Sequence, residues 1–252
     1  MSSRNPVFSK IDAPVVSAEE IAQIVNGPKV DGRLTITDVI MKTAAVFGLV
    51  VVGAYFGWIS APNNSGLFMV AWIGALVLGL VNAFKKEVSP ALVLAYGAVE
   101  GLFLGTLSFW INESYGQNIA QQAVIGTLVA FGVMLAMYKS QVIKVNGRFM
   151  KVFSIAMVSY LVIALMSFVS SFFGVGNGWG FYGVGQLGML LCVAGVGLAT
   201  FSLVMDFEMI TRAVAAGMPE RESWRMAFGL TVTLVWLYTE LLRLLAIING
   251  RD

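Results

Sequence analysis

The sequence predicts an all-α integral membrane protein, a bundle of seven transmembrane helices. Three observations carry that expectation. The mean hydropathy is +0.82, and 58% of the 252 residues are hydrophobic while only 12% are charged. A soluble domain is about one quarter charged, so this composition needs lipid as its main solvent. Seven apolar runs occur, each of roughly 19 residues or more and long enough to cross a hydrocarbon core of about 30 Å. Lys and Arg cluster in every second connection, which is the pattern of a multi-pass protein with a defined orientation.

Residues 1–34 read as a polar cytoplasmic leader, partly disordered, with Pro6, Pro14 and Pro28 along it. They lack the basic start and apolar core of a signal peptide. Ser17 and Glu20 match a capping box, with Val16 and Ile21 as a staple, so a short amphipathic helix is expected inside the leader. Residues 35–252 form the membrane domain. Thr35 and Asp38 make a second capping box ahead of span one, 37–60. Ala61, Pro62, Asn63 and Asn64 make the turn into span two, 66–84. Span three covers 90–111 and span four 119–138. Span five, 150–173, is followed by a glycine-rich loop, 174–185. Span six begins near 186 and passes through Asp206. Span seven covers 224–248.

The basic residues fall on one side of this scheme. They are Arg4, Lys10, Lys29 and Arg33 in the leader, and Lys85 and Lys86 after span two. Lys139, Lys144, Arg148 and Lys151 follow span four, and Arg212, Arg221 and Arg225 surround the last turn. The alternate loops carry only Glu113 as a charge. The N-terminus is therefore placed in the cytoplasm and the C-terminal tail outside, in the plasma membrane.

Acids within long apolar runs are costly and need a reason. Gly97, Gly101 and Gly105 recur every fourth residue in span three and predict close backbone packing. Glu100 sits beside this stripe, so it should point into the bundle. Gly195, Ala199, Ser202 and Asp206 form a similar ladder in span six. Thr233 and Glu240 lie seven residues apart on span seven, about 10.5 Å along the axis, and Glu240 can pair with Arg243 three residues on. Glu208 and Lys42 are expected to reach the cytoplasmic interface. A cluster of such groups could change charge with pH or bind a cation in place of a proton. Calcium wants several oxygens, and Asp206, Glu240 and Glu100 are the acids that could offer them, helped by Thr233 and Ser202.

Other chemistry is excluded or disfavoured. There is no histidine and one cysteine, Cys192, which leaves no intrachain disulfide and no multi-cysteine metal site. Cys192 reads as a small buried apolar residue. With no metal triad and no nucleophile elbow, the chain is expected not to be an enzyme and to need no cofactor beyond a permeant or bound calcium ion. Net charge is +2 and the basic residues are scattered, so nucleic acid is not a predicted partner. The lipid bilayer is. No feature specifies an oligomeric state.

Three stretches resemble the transmembrane Bax-inhibitor-motif family, also called Bax-inhibitor-one-like. FSLVMDFEMI resembles its sixth-helix motif. MAFGLTVTLVWLYTELLRLLAI resembles its last helix, with LLRLL as a signature. AYGAVEGLFLG resembles its third-helix Glu-Gly motif. The likeness runs from Thr35 to the C-terminus, and the NPVF start of the leader resembles a bacterial, YccA-like branch. The resemblance implies a seven-helix bundle with the last helix central and a pH-sensitive passive leak for calcium. It also implies an acid pair between helices six and seven acting as proton sensor. Asp206 matches the first acid, but Thr233 stands at the second, so either the pH gate is lost or another acid, Glu100 or Glu240, substitutes. A membrane-protease partner, engaged through the leader and cytoplasmic loops by a non-transporting regulator, is the alternative that the resemblance implies.

Overall fold

Thr35 opens the first helix by the reciprocal cap its sequence predicts. Its hydroxyl accepts from the Asp38 backbone N–H at 3.1 Å, and the Asp38 carboxylate accepts from the Thr35 backbone N–H at 3.1 Å. Two of the helix's orphan donors are satisfied in one exchange. Thr35→Ala is expected to cost ~1 kcal/mol, read as a shifted SDS unfolding midpoint in mixed micelles. An unchanged midpoint would mean the cap contributes nothing.

The computed structural model describes residues 32–250 apart from Gln117, Lys144 and Trp179. The helix expected around Ser17 and Glu20 lies outside the described residues. Seven long helices follow in chain order: α1 (Ile36–Ser60), α2 (Gly66–Phe84), α3 (Pro90–Tyr115), α4 (Ile119–Lys139), α5 (Gly147–Ser171), α6 (Gly185–Ala215) and α7 (Ser223–Asn249). Among the described residues these seven helical segments are the ones long and apolar enough to cross a membrane. The chain is thus an all-α, multi-pass membrane bundle. The expected spans agree with the helices to within a few residues, and α6 passes through Asp206 as expected, ending nine residues beyond it. Short 3-10 turns occupy the loop between α5 and α6, at Val175–Gly178 and Gly180–Gly183.

The closest helix pair is α1 with α3, and glycine is the cause. A Cβ on Gly97 would lie 2.9 Å from the Val46 carbonyl oxygen, and Cβ atoms on Gly101 and Gly105 would strike the carbonyls of Val50 and Ala54. The relation is mutual, because Gly53 and Gly57 of α1 meet the backbone of Ala98 and Leu102. Without side chains between them, the two backbones gain dispersion contacts along their length.

The last helix is central, as the resemblance implies, touching α1, α3, α4 and α6. It shares the centre with α3, which touches α1, α2, α4 and α7. The physical reason is the glycine stripe, which lets α3 sink against α1 while its other face meets α7.

The basic connections converge at one end of the bundle. The Leu34 N–H donates to the Met218 carbonyl at 2.8 Å, and the Glu220 N–H donates to the Gly32 carbonyl at 3.0 Å. Leu34 is buried beneath this bridge. Arg225 donates to the Lys86 carbonyl at 2.7 Å and pairs with Glu222 at 2.7 Å. Lys42 donates to the Ser223 hydroxyl at 2.6 Å and lies over the Trp224 ring, so it sits at this end, as its position in the first turns of α1 predicts.

Glu208 is buried against its neighbours. Its carboxylate accepts from the Tyr138 hydroxyl at 2.9 Å and from Arg212 Nε at 2.7 Å. Tyr138 is in the last turn of α4 and Arg212 in the last turn of α6, so Glu208 lies toward the basic end of the bundle.

Candidate functional site

Three of the sequence-predicted residues share one crevice of about 510 Å³, formed by α2, α3, α6 and α7. Glu100 comes from α3, Asp206 from α6 and Thr233 from α7. Glu100 stands ten residues into α3, Thr233 ten residues into α7, and Asp206 nine residues before the end of α6. At 1.5 Å per residue all three lie about 15 Å from the basic end, near the middle of the bundle.

Helical periodicity explains why they converge. Gly195, Ala199, Ser202 and Asp206 repeat at helical spacing, and a Cβ on Gly195 would come 2.8 Å from the Glu240 carboxyl of α7. The ladder therefore faces α7, and Asp206 arrives beside it. Thr233 of α7 stands beside the Asp206 carboxyl on the wall of this crevice, and the two are not within hydrogen-bond geometry. Asp206 Oδ2 is buried and has no hydrogen-bond partner; the same is true of Ser202 Oγ, one turn away. Buried orphan polar atoms of this kind are uncommon and are accounted for by strain, by a functional role or by a bound water or ion. Glu100 is buried too, and Tyr96, one turn earlier on α3, lines the crevice beside it.

Tyr96 is a site residue that sequence reasoning missed. Its spacing of four from Glu100 was the available signal, since such pairs are neighbours on a helix surface.

Glu240 and Arg243 do not join this crevice. Arg243 Nη1 lies 3.2 Å from both Glu240 carboxylate oxygens. Glu240 Oε1 also accepts from the Tyr160 hydroxyl at 2.7 Å and from Trp236 Nε1 at 3.1 Å. The Tyr160 and Tyr182 hydroxyls are 2.7 Å apart. Tyr160 spends its single proton on the carboxylate, so Tyr182 is the donor in that bond. The Arg243 guanidinium sits 4.3 Å from the Tyr182 ring centroid. This closed network ties α7 to α5 and to the loop between α5 and α6. Gly195 makes room for it, because a Cβ there would strike the Tyr160 hydroxyl. Of the acids considered as partners for Asp206, Glu100 shares its crevice and Glu240 does not. The two turns between Thr233 and Glu240 account for the separation.

The expected calcium set of Asp206, Glu240 and Glu100 is thereby divided between two places. Among the described residues, no three His, Cys, Asp or Glu side chains are grouped to hold a metal ion. Cys192 is buried and free, as its apolar surroundings predict.

The placing of Asp206 beside Thr233 is the geometry expected of a sixth-helix acid facing the last helix. The family model described as Bax inhibitor 1 like matches residues 5–250. The chain belongs to that family. A search of curated proteins finds no match. Within this Bax inhibitor 1-like bundle, Thr233 of α7 and Glu100 of α3 line the same crevice as Asp206.

Proposed function

We propose that this protein is a passive cation leak of the plasma membrane. Calcium is the ion, and the Asp206 crevice makes the flux sensitive to pH. The observation that carries the reading is the unpartnered, buried Oδ2 of Asp206 in a crevice that also holds Glu100. An ion pathway needs binding favourable enough for entry and weak enough for exit. Two carboxyls and a hydroxyl, without a third acid, suit a passing ion better than a held one. The expected acid pair is then formed between α3 and α6 instead of α6 and α7. Family membership supports a leak in general terms. The basic end faces the cytoplasm in this reading, following the usual distribution of Lys and Arg. The protein acts as a conduit and not as an enzyme.

The test is calcium flux into liposomes across pH, for wild type and Asp206→Asn. Wild-type flux is expected to vary with pH, and the variant's flux to be flat over the same range. Flux equal to that of empty liposomes would overturn the leak. Identical pH profiles for the two proteins would remove Asp206 from it.

A further inference from the structure

The crevice that holds Glu100 and Asp206 is also walled like a site for an organic molecule. Its mouth lies between α2 and α7, where Leu76 and Leu80 are 47% and 50% exposed and Val232 is 37% exposed. In a bilayer these side chains meet acyl chains. The wall also carries the rings of Trp72, Tyr96, Phe103 and Phe228, of which Tyr96 and Phe228 are buried. Among the described residues no Lys or Arg lines the crevice, so none of them answers the two carboxyls. There is unfilled space as well: a Cβ on Gly229 would meet nothing within 4 Å.

We propose that the crevice binds a lipophilic organic cation, an ammonium group bearing an apolar tail, which enters sideways from the membrane. Each part of the wall selects one part of such a molecule. Aromatic faces attract ammonium groups through their quadrupoles, most strongly when water is excluded. The Asp206 oxygen without a partner supplies the opposite charge. The apolar mouth takes the tail at no cost in lost hydrogen bonds. The volume falls in the range of small-molecule sites, which are mostly apolar with a few placed polar groups. A neutral tail would leave the carboxyls unanswered, and an anionic lipid would meet two acids. The inference uses the same crevice as the proposed leak but does not rest on it. Binding is read without an ion gradient, so either can fail while the other stands.

The probe is radiolabelled decyltrimethylammonium, whose charge does not vary with pH, added to the full chain in nanodiscs of zwitterionic lipid. Saturable binding of one probe per chain is expected, displaced by the unlabelled compound and not by decanol or decyl sulfate. Asp206→Asn with Glu100→Gln should weaken binding at least tenfold. Gly229→Leu keeps both carboxyls and fills the space, and should abolish saturable binding while the protein stays monodisperse. Non-saturable partitioning alone would overturn the proposal. So would displacement by decanol as effective as by the ammonium, or unchanged binding in a folded Gly229→Leu.

Discussion

Gly105→Leu is expected to leave no stable bundle. A side chain at this position enters the backbone of α1: its first carbon falls on the Ala54 carbonyl, with Trp58 N at 2.8 Å. Backbone cannot rotate away as a side chain can, so the two helices must part. The loss spreads, because Gly53, Gly57, Gly97 and Gly101 make their contacts only at the same close separation. In lipid there is no hydrophobic drive to hold helices together once packing is lost. Overpacking commonly costs ~1–3 kcal/mol, and the involvement of a whole helix pair puts this variant at or above the upper figure. Gly48→Leu is the control, since a Cβ there meets nothing within 4 Å on the same helix pair. The measurements are yield, monodispersity and the SDS unfolding midpoint. A Gly105→Leu protein as stable as Gly48→Leu would refute the account of the α1–α3 interface.

The second large effect is expected at Glu240. Its side chain is 4% exposed and the partnering Arg243 side chain 28%. Glu240→Ala removes the acceptor for Tyr160, Trp236 and Arg243 together. Breaking a buried pair by deleting one partner typically costs ~3–5 kcal/mol, because the other charge is left without compensation. The double variant Glu240→Gln with Arg243→Met removes both charges and should recover much of that loss. A double-mutant cycle on unfolding midpoints measures the coupling. Additive effects would mean that the pair is not a unit. Ion flux in the double variant should retain its pH dependence, since the pair stands outside the Asp206 crevice.

The order of the seven spans was legible because lipid imposes a simple demand. Each crossing needs one continuous apolar run, and the backbone must satisfy itself within it. Run length therefore gave each helix nearly to its ends, and the Thr35–Asp38 box gave the first start. The small-residue stripes were legible for a related reason. A helical repeat of Gly or Ala has no other common use than close approach, and both stripes lie at packed faces.

The candidate site was legible only in part. Burial of Glu100 and Glu240, and of the Asp206 Oδ2 atom, followed from the cost of charge in lipid. Their grouping did not. Spacing along one helix could show that Glu240 lies two turns from Thr233 and within reach of Trp236 four residues before it, but not that Tyr160 would also take up its carboxylate. Those partners come from α5 and from the adjacent turn of α7, and no pattern in the chain pairs Tyr160 with Glu240. The bond between Glu208 and Tyr138 on α4 was hidden for the same reason.

By itself the sequence determined the solvent, the number and order of helices, and which helices could pack closely. It also determined family membership, through stretches whose residue order is specific. These are local properties, set by hydropathy and helical period. Only the tertiary structure decided which acid shares a crevice with Asp206, that α3 stands beside α7 at the centre, and that Asp206 Oδ2 and Ser202 Oγ were left without partners. Such facts depend on the rotation and depth of each helix against its neighbours. In lipid those are set by the packing of all the faces at once, and no single segment carries that information.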